Sequence, residues 1–193
     1  MNINIKKIYL ISFSFFLLFL GKPILFEDTF GFFHESGQVQ NFIPYENPSM
    51  KFSIKYPSNW NVEERIGGFV TFTAPIEDYT QTKFPAGLGV YPINLESQNV
   101  SLTTLKNVHL NNITNNLKEF QLLDSRPISL AGTNSAYQLI FTALDGEQLK
   151  KSMQIIVKNQ DKAYLITFKA DLNKYDSYVN TAQKILDSLV LAK

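Results

Sequence analysis

The 193-residue chain has no cysteine, two histidines, one tryptophan and almost no charge imbalance. Each shortage removes a class of chemistry. Without cysteine there is no disulfide, thiol nucleophile, Cys-ligated zinc, iron–sulfur cluster or lipidated N-terminal Cys, and the fold is indifferent to the redox state of its compartment. Eighteen Lys and Arg against seventeen Asp and Glu leave a net charge of +1. That balance supplies no sequence-wide attraction to nucleic acid, so no nucleic-acid partner is expected. Also missing are a Gly-x-Ser-x-Gly elbow, a Ser-x-x-Lys set, a phosphate loop and a dinucleotide fingerprint, which leaves no nucleophile or cofactor cradle to name. No internal repeat or low-complexity block occurs.

What the chain does have is apolar mass: 45% of its residues are hydrophobic and 13% aromatic, enough for one core and one domain. The first apolar block is not part of that core. Lys6 and Lys7 precede an apolar-rich run from Ile8 to Leu20, closed by Gly21, Lys22 and Pro23. As a helix this run reaches about 20 Å, short of a hydrocarbon layer of about 30 Å, which fits the core of a signal peptide. Apolar character resumes at Ile24, Leu25 and Phe26, and no small-x-small cleavage site follows Leu20, which fits an uncleaved anchor. The two readings stay open, and both put the positive flank inside and the remainder outside a membrane. Residues 1–26 are therefore a signal peptide or membrane anchor, 27–44 a Gly- and Pro-containing tether, and 45–193 the domain. The expected location is extracytoplasmic, anchored or secreted.

Within the domain, Phe52, Ile54 and Tyr56 share one side of a strand that Pro57 and Asn59 end. Strands follow at Phe69 to Thr73 and Gly87 to Leu95. Apolar residues at helical spacing predict a helix from Leu102 to Leu117 capped by Ser101, with Lys106, His109, Asn112 and Asn116 inside its apolar arc. Four more strands are predicted, Phe120 to Ser125, Ser135 to Ala143, Leu149 to Lys158 and Ala163 to Ala170. Asp145-Gly146 supplies the positive φ of a tight hairpin. Tyr175, Tyr178, Val179, Ala182, Ile185, Leu186, Leu189 and Val190 form the apolar side of a final helix. Strands, helix, strands, helix, with hairpins between, give an α+β fold in which helices cover a twisted antiparallel sheet.

The run Met50 to Trp60 (MKFSIKYPSNW) is similar to the opening of the PsbP C-terminal domain, where an amphipathic strand ends in Tyr-Pro and a Trp follows. Ala136 to Phe141, Ala163 to Ala170 and the helix ending Ile185-Leu186-Asp187-Ser188-Leu189 continue the similarity in order, over about residues 45–191. The resemblance implies an α-β-α sandwich around an antiparallel sheet, shared with a Ran-binding nuclear-import protein, and a non-catalytic role. Members of that family are extrinsic lumenal subunits of photosystem II that help retain calcium and chloride, or relatives that assist the assembly of thylakoid complexes. The N-terminal block of this chain, hydrophobic and without Arg, differs from a chloroplast transit peptide.

Candidate site residues are few. His109 sits beside Lys106 and Asn112 and invites a proton-transfer or metal reading, but neighbouring sequence supplies neither a second base nor three ligands, so a packed histidine is the favoured role. Glu77 with Asp78, and Asp145 with Glu147, are oxygen-bearing pairs for calcium without the spacing of an EF-hand loop, and solvated loop acids explain them better. Calcium enters by resemblance alone, and no other cofactor is expected. Trp60, Tyr56 and Tyr91 are candidates for a ligand groove, against the plainer role of core aromatics. Asn99 and Asn112 lie in glycosylation sequons, the second on the inner side of the helix. The expectation is a non-catalytic module, membrane-associated through its N-terminal segment, that docks on or stabilises a membrane protein complex. A small-ligand or calcium-binding module using the loop from Glu77 to Gly87 is the alternative, and an enzyme with an unrecognised site around His109 the third reading.

Overall fold

A computed structural model of the chain describes residues 41–65, 68–76, 85–93, 95, 100–130, 133–160 and 162–192. The apolar N-terminal run, His34, Glu77, Asp78 and Asn99 lie outside the described residues. In chain order the elements are β1 (Phe42–Asn47), β2 (Phe52–Pro57), β3 (Asn61–Arg65), β4 (Phe69–Thr73), β5 (Gly87–Ile93), α1 (Leu102–Asn116), β6 (Gln121–Leu130), β7 (Thr133–Asp145), β8 (Gln148–Asn159), β9 (Lys162–Asp171), α2 (Tyr175–Asp187) and β10 (Val190–Leu191). Seven of the strands form an antiparallel sheet ordered β3-β4-β5-β9-β8-β7-β6, and three form a small sheet ordered β1-β2-β10. The α+β fold expected from the order of patterns, with helices on an antiparallel sheet, is the fold observed, and the layered arrangement is the one that the family resemblance implies.

The central strand β9 is buried from Ala163 to Ala170 without a break. Because side chains alternate, its two rows need two separate covers. Tyr164, Ile166, Phe168 and Ala170 join Phe52 and Ile54 of the small sheet and Ala182, Ile185 and Leu186 of α2 in the larger core. Ala163 and Leu165 belong instead to the layer of Phe69, Tyr91 and Leu105, the last of these on α1. Further along α1, Ile113 packs on Leu139, Phe141 and Ala143 of β7. Each fully buried side chain of this size contributes about 1.5–3 kcal/mol, which is why the helices hold their places.

Local signals account for the boundaries. Ser101 Oγ accepts from the Thr104 amide at 3.0 Å and starts α1, as its sequence predicts. Asp145 pairs with Gln148 across Gly146-Glu147, and Gly146 has φ +65, the left-handed start that a two-residue hairpin demands. Pro127 and two register shifts interrupt β6, the outermost strand, where a missing donor and an irregular ladder are best tolerated and where they discourage pairing with another chain.

Three details differ from the sequence-based expectation. The last helix stops at Asp187, not Val190, because Ser188 Oγ donates to the Ile185 carbonyl at 2.6 Å and the chain then pairs Val190 with Ser53 and Leu191 with Phe52. Leu189 stays buried after the helix ends, which is why the helical period seemed to continue. Strand β3 has one apolar residue, Val62, and so carried no alternation to read. Strand β1 begins at Phe42, within the stretch assigned to the tether, with Pro44 tolerated because β1 is an edge.

Tyr175 opens α2 with its ring 5.2 Å from that of Phe168 and the Lys151 ammonium 4.3 Å from its own ring centre. Its hydroxyl is buried with no hydrogen-bond partner, and burial, followed by the Asp176 charge, pushes its pKa up to about 12. An unsatisfied buried hydroxyl costs roughly 1–3 kcal/mol. Tyr175→Phe, which keeps both ring contacts, is therefore expected to raise stability by about 1 kcal/mol in urea unfolding. A loss of stability would show that the hydroxyl has a partner.

Candidate functional site

The α1 side of the main sheet is the polar one. Along β8 the alternation places Lys150, Ser152 and Gln154 beneath α1, and along β9 it places Thr167 and Lys169 beside them, with Gln154 opposite Thr167 and Ser152 opposite Lys169. All five are buried. Buried polar groups in a sheet interior must find partners, and here many find each other.

Two centres result. In the first, His109 projects from α1 and its Nε2 donates to the Gln154 side-chain carbonyl at 2.6 Å. Burial lowers the His109 pKa from its ordinary 6.5, and the Gln154 bond opposes that shift. Asn112, one turn on, is also buried and its carbonyl and Oδ1 both accept from the Asn116 amide, at 2.7 and 2.8 Å. Lys106 leaves the interior and lies 5.2 Å from the centre of the Tyr137 ring. The four polar residues that interrupt the apolar arc thus tie the helix to the sheet or to itself.

The second centre lies where β7 and β9 end and β8 begins. Lys169 Nζ donates to Asp145 Oδ2 at 2.6 Å, Lys150 Nζ donates to Asp171 Oδ1, and Lys150 also reaches Gln148 Oε1 at 2.9 Å. Burial pushes the Lys169 ammonium down from the ordinary lysine value, and Asp145 opposes the shift. Breaking one partner of such a buried pair costs about 3–5 kcal/mol, because the other charge is left in the interior. Asp145 is therefore part of a lysine pair, while Glu147 is exposed at the turn. These two acids do not form a joint oxygen site.

The remaining sequence candidates fall apart in space. Trp60 is buried in the larger core, its ring 6.4 Å from that of Tyr178. Tyr56 packs 5.0 Å from Phe72 on the same side of the sheet. Tyr91 lies on the α1 side, where its ring crosses Gly89 so closely that a Cβ there would sit 2.3 Å from the hydroxyl. These aromatics share no groove. Among the described residues no three His, Asp or Glu side chains converge as a metal would require.

Lys150, Lys169, Gln154 and Asp171 were not among the sequence candidates. The usable signal was the alternation of β8 and β9, which turns both lysines toward α1; their acidic partners lie 21 and 24 residues away.

Comparison with known proteins bears on what such a domain is. A family model described as PsbP-like protein matches residues 32–191. The chain belongs to the PsbP-like family. The solution structure of cyanobacterial PsbP from Synechocystis sp. PCC 6803 is similar at a TM-score of 0.57 and 13% identity, covering 82% of this chain and 96% of that one. The Ran-binding protein Mog1p of Saccharomyces cerevisiae matches at 0.56 and 10%, covering 80% of this chain and 97% of that one. LpqN of Mycobacterium tuberculosis, involved in cell envelope biogenesis, matches at 0.53 and 14%, covering 81% and 87%. At these identities the likeness is one of fold. No curated relative matches the chain.

The lowered proton affinity of His109 is expected to cost the domain stability at acid pH. Below an unfolded-state pKa of about 6.5 the unfolded chain binds a proton that the folded chain refuses, so stability is complete above that pH and falls as pH drops toward the lower folded value. His109→Gln is expected to remove this component, flattening the fall in urea midpoint between about pH 6.5 and 5 relative to the wild type. An unchanged difference between the two proteins across that range would show that His109 titrates normally.

Proposed function

We propose that this PsbP-like chain is a non-catalytic module, held on the outer side of a membrane by its N-terminal segment, that docks on and stabilises a membrane protein complex. The observation that carries the reading is the state of the interior polar groups. His109 is bonded to Gln154, and the buried lysines are bonded to Asp145 and Asp171, as structural groups are. An active site needs groups held ready for a substrate, whereas these hold layers together. Family membership supports the same reading.

The solved relatives give it direction. One is a cyanobacterial PsbP, one is Ran-binding and one is involved in cell envelope biogenesis. A fold reused with such different associates serves as a scaffold whose surface selects the partner. Membrane attachment is proposed for residues 1–26 on their sequence alone, the apolar runs Ile8 to Leu20 and Ile24 to Phe26; among the described residues no helix is long and apolar enough to cross a membrane.

Cross-linking the full-length protein in its native membrane, followed by identification of the products, tests the docking role. One recurring membrane complex is the expected outcome, retained in detergent when residues 1–26 are removed. Purified protein that retains calcium or a small molecule, with no recurring complex, would replace docking with ligand binding as the function.

A further inference from the structure

Asn112-Ile113-Thr114 is a glycosylation sequon that the docking role leaves unexplained, and the fold decides when it can be used. The tripeptide lies inside α1, which runs from Leu102 to Asn116. On that helix the buried stripe is Leu105, His109, Asn112 and Ile113, whereas Thr114 is exposed. Side chains two residues apart on a helix are turned by about 200° from one another, so the Asn112 amide and the Thr114 hydroxyl stand on opposite sides. A transferase that attaches a glycan has to hold both groups together, because the hydroxyl of the third residue is what marks the asparagine as an acceptor. The helical backbone alone therefore closes the site.

Burial closes it a second time. Asn112 is 6% exposed. Its Oδ1 and backbone carbonyl accept from the Asn116 side chain at 2.8 and 2.7 Å, and its neighbours on the stripe are the groups that dock the helix. His109 is bonded to Gln154 of β8, and Ile113 packs on Leu139, Phe141 and Ala143 of β7. A glycan is a bulky polar group that belongs in solvent. It has no place at Asn112 unless this stretch of α1 is lifted off the sheet, which bares those three apolar residues and takes His109 away from the buried Gln154.

We propose that glycosylation of Asn112 and docking of α1 are mutually exclusive: Asn112 is a modification site of the unfolded chain alone, and a glycan attached there holds the chain out of its native fold. The inference matters for an exported chain, as in the reading above, because N-glycan transferases act on the outer side of a membrane. The exclusion itself follows from the fold and needs no docking partner. On the outer side, folding of α1 and modification compete for one residue. A seated α1 has closed the site, whereas a chain modified first has lost the helix that covers β7 and β8.

The test uses the full-length chain with Asn99→Gln, which leaves Asn112 in the one remaining sequon. Purified folded protein is incubated with a single-subunit oligosaccharyltransferase and its lipid-linked oligosaccharide, and occupancy is read by peptide mass. Leu123→Asn, which makes a sequon with Ser125 at the exposed β6 bulge, is the positive control. Ile113→Ser keeps the Asn112 sequon but removes the apolar contact of α1. In the parent protein, position 112 is expected to be modified many-fold less than position 123, with occupancy at 112 rising several-fold in Ile113→Ser. Modification of Asn112 at the rate of position 123, in protein that keeps its urea midpoint, would overturn the proposal, as would no rise in an Ile113→Ser protein whose midpoint has fallen. Translation into endoplasmic-reticulum microsomes is the second measurement, since it modifies the chain before α1 forms. Chains glycosylated at 112 are expected to be digested by a protease that spares unmodified ones, and equal resistance of the two would show that the fold accommodates the glycan and refute the exclusion.

Discussion

The strand β9 is buried on both of its faces, and the rest of the molecule follows from that requirement. A strand with two covered faces needs two unlike layers, one supplied by α2 and the small sheet and the other by α1. The first layer is mainly apolar and aromatic, although Gln138 of β7, opposite Ile155, is buried on the same side. The second is part polar, because Thr167 and Lys169 occupy the row that faces α1. Every later feature of that side, from the Gln154–His109 bond to the lysine–aspartate pairs, supplies the partners that buried polar groups require.

This arrangement has a functional consequence. Histidine and lysine in a protein interior with lowered proton affinity are what an active site often looks like. Here the same shifts have a structural origin: desolvation lowers both, and bonds to Gln154 and Asp145 hold them. The interior explains how α1 and the ends of β7 to β9 are fixed. On the proposed docking role, recognition is then a property of the outside of the domain.

Much of the fold was legible because it is written in local chemistry. Ser101 announces α1, Asp145-Gly146 announces the hairpin, and the alternation of Ala163 to Ala170 announces the central strand. The PsbP-like order of strands around Tyr56-Pro57 and Ala163-Tyr164 extended that reading to the whole domain. What stayed hidden depends on partners distant in sequence. Val190 reads as helix because Leu189 keeps the helical period, and only the open side of β2 turns it, with Leu191, into a strand. Lys150 and Lys169 carry no local signal of burial, since the carboxylates that stabilise them stand at the ends of other strands. The candidates that sequence did name, His109 and Trp60, are placed by the structure in two different layers of the core.

The central claim is that the outside of this domain, and not its polar interior, is where it acts. Hydrogen exchange of the full-length protein in its native membrane, compared with the same protein in detergent, addresses that claim directly. Added protection is expected on exposed loop, edge-strand and helix-surface amides, with the amides near His109, Gln154 and Lys169 unchanged. Protection confined to α1 and the strands beneath it would contradict the account and place a ligand in the interior.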